Sequence, residues 1–167
     1  MPIVHLEPVP LIFVNIAAWL VIHLGISWGC RKINNSFFEN KNAWFRTFPF
    51  EEDGVFWEKK LRIREWKDLL PDGTVIAKKG FDKSRLNKSE SSYLATFIIE
   101  SRRAELTHWL LIPHAFLFFL WNPLWAGWVM ILYAWAVNIP FIIIQRYNRP
   151  RLERIFLRKV ATKNKIY

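Results

Sequence analysis

The chain has a single cysteine, Cys30, in 167 residues, and only six glycines. One thiol excludes a disulfide framework and any zinc site built on cysteines. No glycines cluster into a phosphate-cradling loop, and no stretch repeats at solenoid length. A hydrophobic content of 52% excludes a disordered chain. Positive charge is missing from two long regions. None of the 24 Lys and Arg lies in residues 1–30 or 104–145; sixteen lie in 31–103 and eight in 146–165. The net charge of +10 is therefore strongly segregated.

Three apolar stretches occupy the regions without positive charge. Val9–Trp28 is interrupted only by Asn15, His23 and Ser27, and Leu124–Ile144 has Asn138 as its one strongly polar side chain. Each reaches the roughly 20 residues a membrane-crossing helix needs. Leu106–Trp121 is shorter, and would serve as the membrane part of a helix that begins in the cytosol. The alternative, buried helices of a soluble domain, fits poorly, because such a domain needs charge on its surface. The distribution of Lys and Arg puts the central segment and the C-terminal tail in the cytoplasm and the N-terminus outside. Asn122-Pro123 then turns a hairpin, and Trp28, Trp109, Trp121 and Trp125 form aromatic belts. No basic residue precedes the first apolar stretch, so a retained helix is expected rather than a cleaved signal peptide. The expected class is mainly α: a small polytopic membrane protein with three transmembrane helices and an aromatic, basic cytosolic segment of mixed structure. The expected parts are an N-terminal helix (1–30), a cytosolic or interfacial segment (31–104), a transmembrane hairpin (105–145) and a basic tail (146–167).

The segment 31–103 is no simple linker. Phe37, Phe38, Trp44, Phe45, Phe48 and Phe50, interleaved with Lys41 and Arg46, suit either a stretch lying on a membrane surface or a small core. Leu61-Arg62-Ile63-Arg64 alternates apolar and basic, a weak strand signal, and Leu70–Val75 reads as a turn into a second strand. Lys78-Lys79-Gly80 and Lys83–Lys88 suit contact with anionic lipid or a phosphorylated substrate, and read more plainly as a solvated basic face. From Glu90 the pattern turns helical, with Ser91 or Ser92 as a cap; no Gly or Pro interrupts Ser91–Ile112, and Pro113 is a kink point.

Ionisable groups at a membrane edge are costly, and so are functional candidates. On that helix Glu100, Glu105 and His108 fall at roughly 0°, 140° and 80°. Glu105 and His108 are i,i+3 neighbours. A carboxylate beside an imidazole fixes its tautomer and raises its basicity, which suits a general base for a hydroxyl. The plainer reading is an interfacial histidine satisfied by Glu105, with Arg102 and Arg103 reaching out to water. A metal reading of Glu-x-x-His needs a second such set, and there is none. His23 and Asn138, by helical rise, would lie level with His108.

The end of the third apolar stretch is dense: Gln145-Arg146-Tyr147-Asn148-Arg149-Pro150-Arg151. Arginines in this setting suit bidentate phosphate binding, or simply a stop-transfer cluster. Pro150 is expected to end the helix.

Two motifs, Glu100-Ser101-Arg102-Arg103-Ala104-Glu105-Leu106-Thr107-His108-Trp109 and Asn138-Ile139-Pro140 running into Gln145–Leu152, resemble those of the glycosyl-4,4′-diaponeurosporenoate acyltransferase family. Phe56-Trp57, Arg64, Trp66-Lys67 and Asp72-Gly73 are also similar. The resemblance implies a bacterial membrane enzyme that moves a fatty acyl group, from a thioester donor such as acyl-CoA, to a sugar hydroxyl of a glycosylated lipid. Transferring no catalytic residues from the family, we expect His108 as the base and Glu105 as its orienting partner. Arg146, Arg149, Arg151, Tyr147 and Asn148 would hold the donor, and Asn138 or a backbone N–H the developing oxyanion. Glu100, Arg103, Trp109 and His23 complete the candidate site. No resident cofactor or metal is expected. The expected partners are the bilayer, the lipid acceptor and the acyl donor, with a homodimer left open. Nucleic acid is not expected, since topology explains the charge. Five residues after His5, His23, His108 and His114 stand Pro10, Trp28, Pro113 and Phe119, so the His-x-x-x-x-Asp dyad of glycerolipid acyltransferases is missing. The competing expectations are another small membrane transferase, with a methyl or prenyl donor, and a scaffold without catalysis.

Overall fold

The computed structural model describes residues 3, 4, 6–39, 43–70 and 90–164. It is mainly helical. In chain order the α-helices are α1 (Pro8–Lys32), α2 (Asn35–Glu39), α3 (Val55–Leu61), α4 (Ile63–Trp66), α5 (Glu90–His114) and α6 (Leu124–Asn164). Short 3-10 turns occur at Ala43–Phe45, Pro49–Gly54, Lys67–Leu69 and Ala115–Leu120. Among the described residues there is no strand. The strand expected at Leu61–Arg64 is instead a helix break. Arg62 takes a left-handed conformation (φ 46°) and joins α3 to α4. The second expected strand lies outside the described residues.

Among the described residues two helices, α1 and α6, are long and apolar enough to cross a membrane. Leu106–Trp121, the third expected span, is divided: α5 ends at His114, one residue beyond Pro113, and a 3-10 stretch follows. Pro150 does not end the last helix. Like Pro140 it lies inside α6, which runs on to Asn164. A proline removes one helical hydrogen bond, and the flanking turns keep theirs.

The residues group into two compact units: Met1–Asn40 with Arg102–Ile142, and Lys41–Ser101 with Ile143–Tyr167. The core of the first unit is Trp19, Ala115, Phe118, Ile131 and Ala134. Trp19 stacks on Phe118 at 4.6 Å between ring centroids. Gly127 faces the ring of Phe119, where any side chain would collide. Two asparagines hold the hairpin tip to α1. Asn15 Nδ2 donates to Asn122 Oδ1 (2.9 Å), and Asn122 Nδ2 donates back to Asn15 Oδ1 (2.8 Å). Trp121 Nε1 donates to the same Asn15 oxygen, at 2.8 Å. Outside this core α1 presents apolar side chains outward, among them Ile12, Phe13, Ile16, Leu20 and Leu24.

In the second unit Glu52, Asp53 and Gly54 take positive φ one after another (45°, 55° and 90°). The turn brings Gly54 against the backbone of Tyr147, where a Cβ would sit 2.8 Å from the carbonyl oxygen.

Candidate active site

In the first unit α5 carries His108 and α6 carries Asn138. Asn138 is buried, and its Nδ2 donates to the carbonyl oxygen of Ala134 at 2.8 Å. That oxygen only accepts, so the amide is oriented, and its Oδ1 is the atom 2.9 Å from His108 Nδ1. His108 must then donate from Nδ1. In the neutral ring Nε2 then keeps the lone pair, the arrangement a general base requires. The ring also stacks on Phe141, 4.8 Å between centroids and nearly parallel, at 4°. The described side-chain hydrogen-bond partner of His108 is thus Asn138. Glu105 is buried, but no described contact joins it to His108.

The other candidates of this unit have different settings. His23 lies against Trp19, ring centroids 5.6 Å apart. Trp109 is exposed. Arg103 does not reach for water. It is buried, with Nη1 donating to the carbonyls of Cys30 (2.7 Å) and Ile33 (3.0 Å) and Nη2 to Asn35 Oδ1 (2.6 Å). Its guanidinium covers the Phe38 ring at 4.5 Å. A cation there satisfies the last carbonyls of α1 and suits the negative end of its dipole. Arg102 donates in the same way to the carbonyls of Phe38 and Glu39.

In the second unit Arg146 and Arg149 of α6 also turn inward. Arg146 Nε and Nη2 grip Glu51 Oε1 and Oε2 at 2.6 and 2.7 Å. Glu51 is fully buried and also accepts from the Phe48 backbone N–H (2.6 Å) and Trp57 Nε1 (3.2 Å). Arg149, with no exposed surface, donates Nη2 to the Phe45 carbonyl at 2.7 Å. These two arginines knit the aromatic segment to α6 rather than stand open to a donor phosphate. Glu51 escaped the sequence reading; an acidic residue inside a basic, aromatic segment was its one signal. Asn148 is half-buried and Glu100 is exposed on α5.

Tyr147 is the centre of a second group. Its buried hydroxyl accepts from Arg64 Nε at 3.0 Å, which holds that guanidinium still more firmly protonated. Arg151 lies over the ring at 3.7 Å and the Lys67 ammonium at 5.8 Å. Among the described residues no group of three or more His, Cys, Asp and Glu converges on a metal position.

The family model for glycosyl-4,4′-diaponeurosporenoate acyltransferase matches residues 41–158. The chain belongs to this family. It is an acyltransferase. Proteins of that name from two strains of Staphylococcus aureus are each 36% identical over 137 residues, covering 82% of this chain and 82% of theirs. No solved structure matches. The matched region takes in both motifs read from the sequence, and so includes His108, Asn138 and the Tyr147 group.

Proposed function

We propose that this protein moves a fatty acyl group from a thioester donor, such as acyl-CoA, to a sugar hydroxyl of a carotenoid glycoside held in the membrane. The relatives' name supports the acceptor class. The two apolar helices and the distribution of Lys and Arg support a membrane setting with the N-terminus outside and the C-terminus cytoplasmic. The acyl and terpenoid chains would remain in lipid.

One observation carries the chemistry: the buried Asn138 amide fixes His108 with its Nδ1 protonated. Nε2 takes the proton of the sugar hydroxyl as that oxygen attacks the thioester carbonyl. The C–S bond breaks, and the imidazolium returns its proton to the leaving thiolate. Base catalysis of this kind contributes about 10²–10⁴-fold.

Lipid mass spectrometry of cells that hold the glycosylated acceptor tests the reading. Wild type should yield a glycolipid heavier by one fatty acyl group, and His108→Ala should yield almost none at equal protein level. The same product from both would remove His108 as the base. No acylated product from wild type, with acceptor and expression verified, would overturn the reading and favour a scaffold or another transferase.

A further inference from the structure

Phosphate on a thioester donor needs cations, yet Arg146 and Arg149 are committed to Glu51 and Phe45. A different set of cations, drawn from three stretches of chain, converges on Tyr147. Arg64 comes from α4, Lys67 from the 3-10 turn that follows it, and Arg151 from α6. The phenol organises all three, as acceptor for Arg64 Nε and as a π-face for Arg151 and Lys67. Tyr147 is itself 2% exposed and its backbone is wedged against Gly54, so the platform is rigid. Arg64, in contrast, is exposed. The one acidic group described beside it is Glu58, 3.5 Å from Nε. Among the described residues no hydrogen bond takes Arg64 Nη1 or Nη2, and a guanidinium is shaped to offer both to one phosphate. With Glu58 as the one carboxylate described beside three cations, the group keeps a net positive charge that a phosphate would offset.

We propose that Arg64, Lys67 and Arg151, gathered on Tyr147, form a binding site for a phosphate-bearing ligand. This deepens the acyl-transfer reading and rests on it, because a thioester donor of the coenzyme type carries phosphates. A phosphate diester of an anionic lipid offers the same chemistry.

The test is titration of the full chain in nanodiscs. Adenosine 3′,5′-bisphosphate and inorganic pyrophosphate are the soluble probes in discs of phosphatidylcholine alone. Discs with added phosphatidylglycerol supply the lipid source. Lys67→Ala and Arg64→Ala are partly exposed positions expected to fold, and retained helical circular dichroism confirms it. Each lost charge-assisted contact should weaken binding about tenfold. Arg64→Lys should recover only part, because Lys offers no planar fork. Tenfold weakening of the soluble probes, unaffected by phosphatidylglycerol, supports the site with a nucleotide-type ligand. Soluble probes displaced by phosphatidylglycerol in wild type but not in the variants support it with a lipid ligand. Affinities for both sources that are the same in wild type and variants overturn the site. Acylated product is read separately, so intact phosphate binding without product would fault the acyl-transfer reading alone.

Discussion

Arg146 closes on Glu51 with two parallel hydrogen bonds, and both side chains are buried. The pair fastens the 3-10 turn Pro49–Gly54 to α6. Two charges taken out of water are tolerable only together, and removing one strands the other. Glu51→Ala should therefore cost about 3–5 kcal/mol. The double variant Glu51→Ala with Arg146→Met should regain much of that loss. Thermal unfolding followed by circular dichroism in detergent checks both. Equal melting of Glu51→Ala and wild type would show that the pair contributes nothing.

Asn138 should behave as a positioning residue. Asn138→Ala frees the His108 ring and its tautomer. Its kcat should fall at least about tenfold, yet by less than the about 10²–10⁴-fold expected for His108→Ala. KM should hardly change. Asn138→Asp, which still accepts from Nδ1, should retain more activity than Asn138→Ala. Steady-state kinetics on the three variants decides the matter; an Asn138→Asp as weak as Asn138→Ala would count against a tautomer role.

Gly54 has two reasons to be glycine. Its φ of 90° is strained for any side chain, and a Cβ would press on the Tyr147 carbonyl. Gly54→Ala should destabilise by about 1–3 kcal/mol, and a chemical unfolding curve at the wild-type midpoint would refute the strain.

Arg103 is expected to be a structural cap. Arg103→Met keeps an aliphatic stem and loses the hydrogen bonds to the Cys30 and Ile33 carbonyls and to Asn35. The loss should be about 1.5–3 kcal/mol, with faster amide exchange in the last turn of α1. Arg103→Lys should recover only a fraction. Unchanged exchange in that turn would remove the cap.

Local pattern was readable, and pairings between distant segments were not. The start of α5 at Glu90 and the turn before Leu124 follow from helical spacing and from Asn122-Pro123. The alternation at Leu61–Arg64 misled because one left-handed residue, Arg62, breaks a helix there without changing the apolar pattern. Pro150 misled because a proline weakens a helix by one bond, while Arg146 and Arg149 tie the turn before it to Glu51 and Phe45. The nearer partner of His108 in sequence, Glu105, was preferred to Asn138, which lies thirty positions away. Arg146 and Arg149 read as phosphate ligands because sequence shows charge and hides where it points, here to Glu51 and the Phe45 carbonyl.

The reciprocal amides of Asn15 and Asn122 set an order of events during synthesis. Asn15 leaves the ribosome 107 residues before its partner. At about 5–20 residues per second that is a delay of about 5–20 seconds. On the proposed membrane reading α1 spends this interval without its side-chain partner Asn122, which favours its remaining beside the insertion machinery until the hairpin arrives. Removing that amide, as in Asn15→Leu, would let α1 escape early into lipid, trading correct assembly for easier insertion.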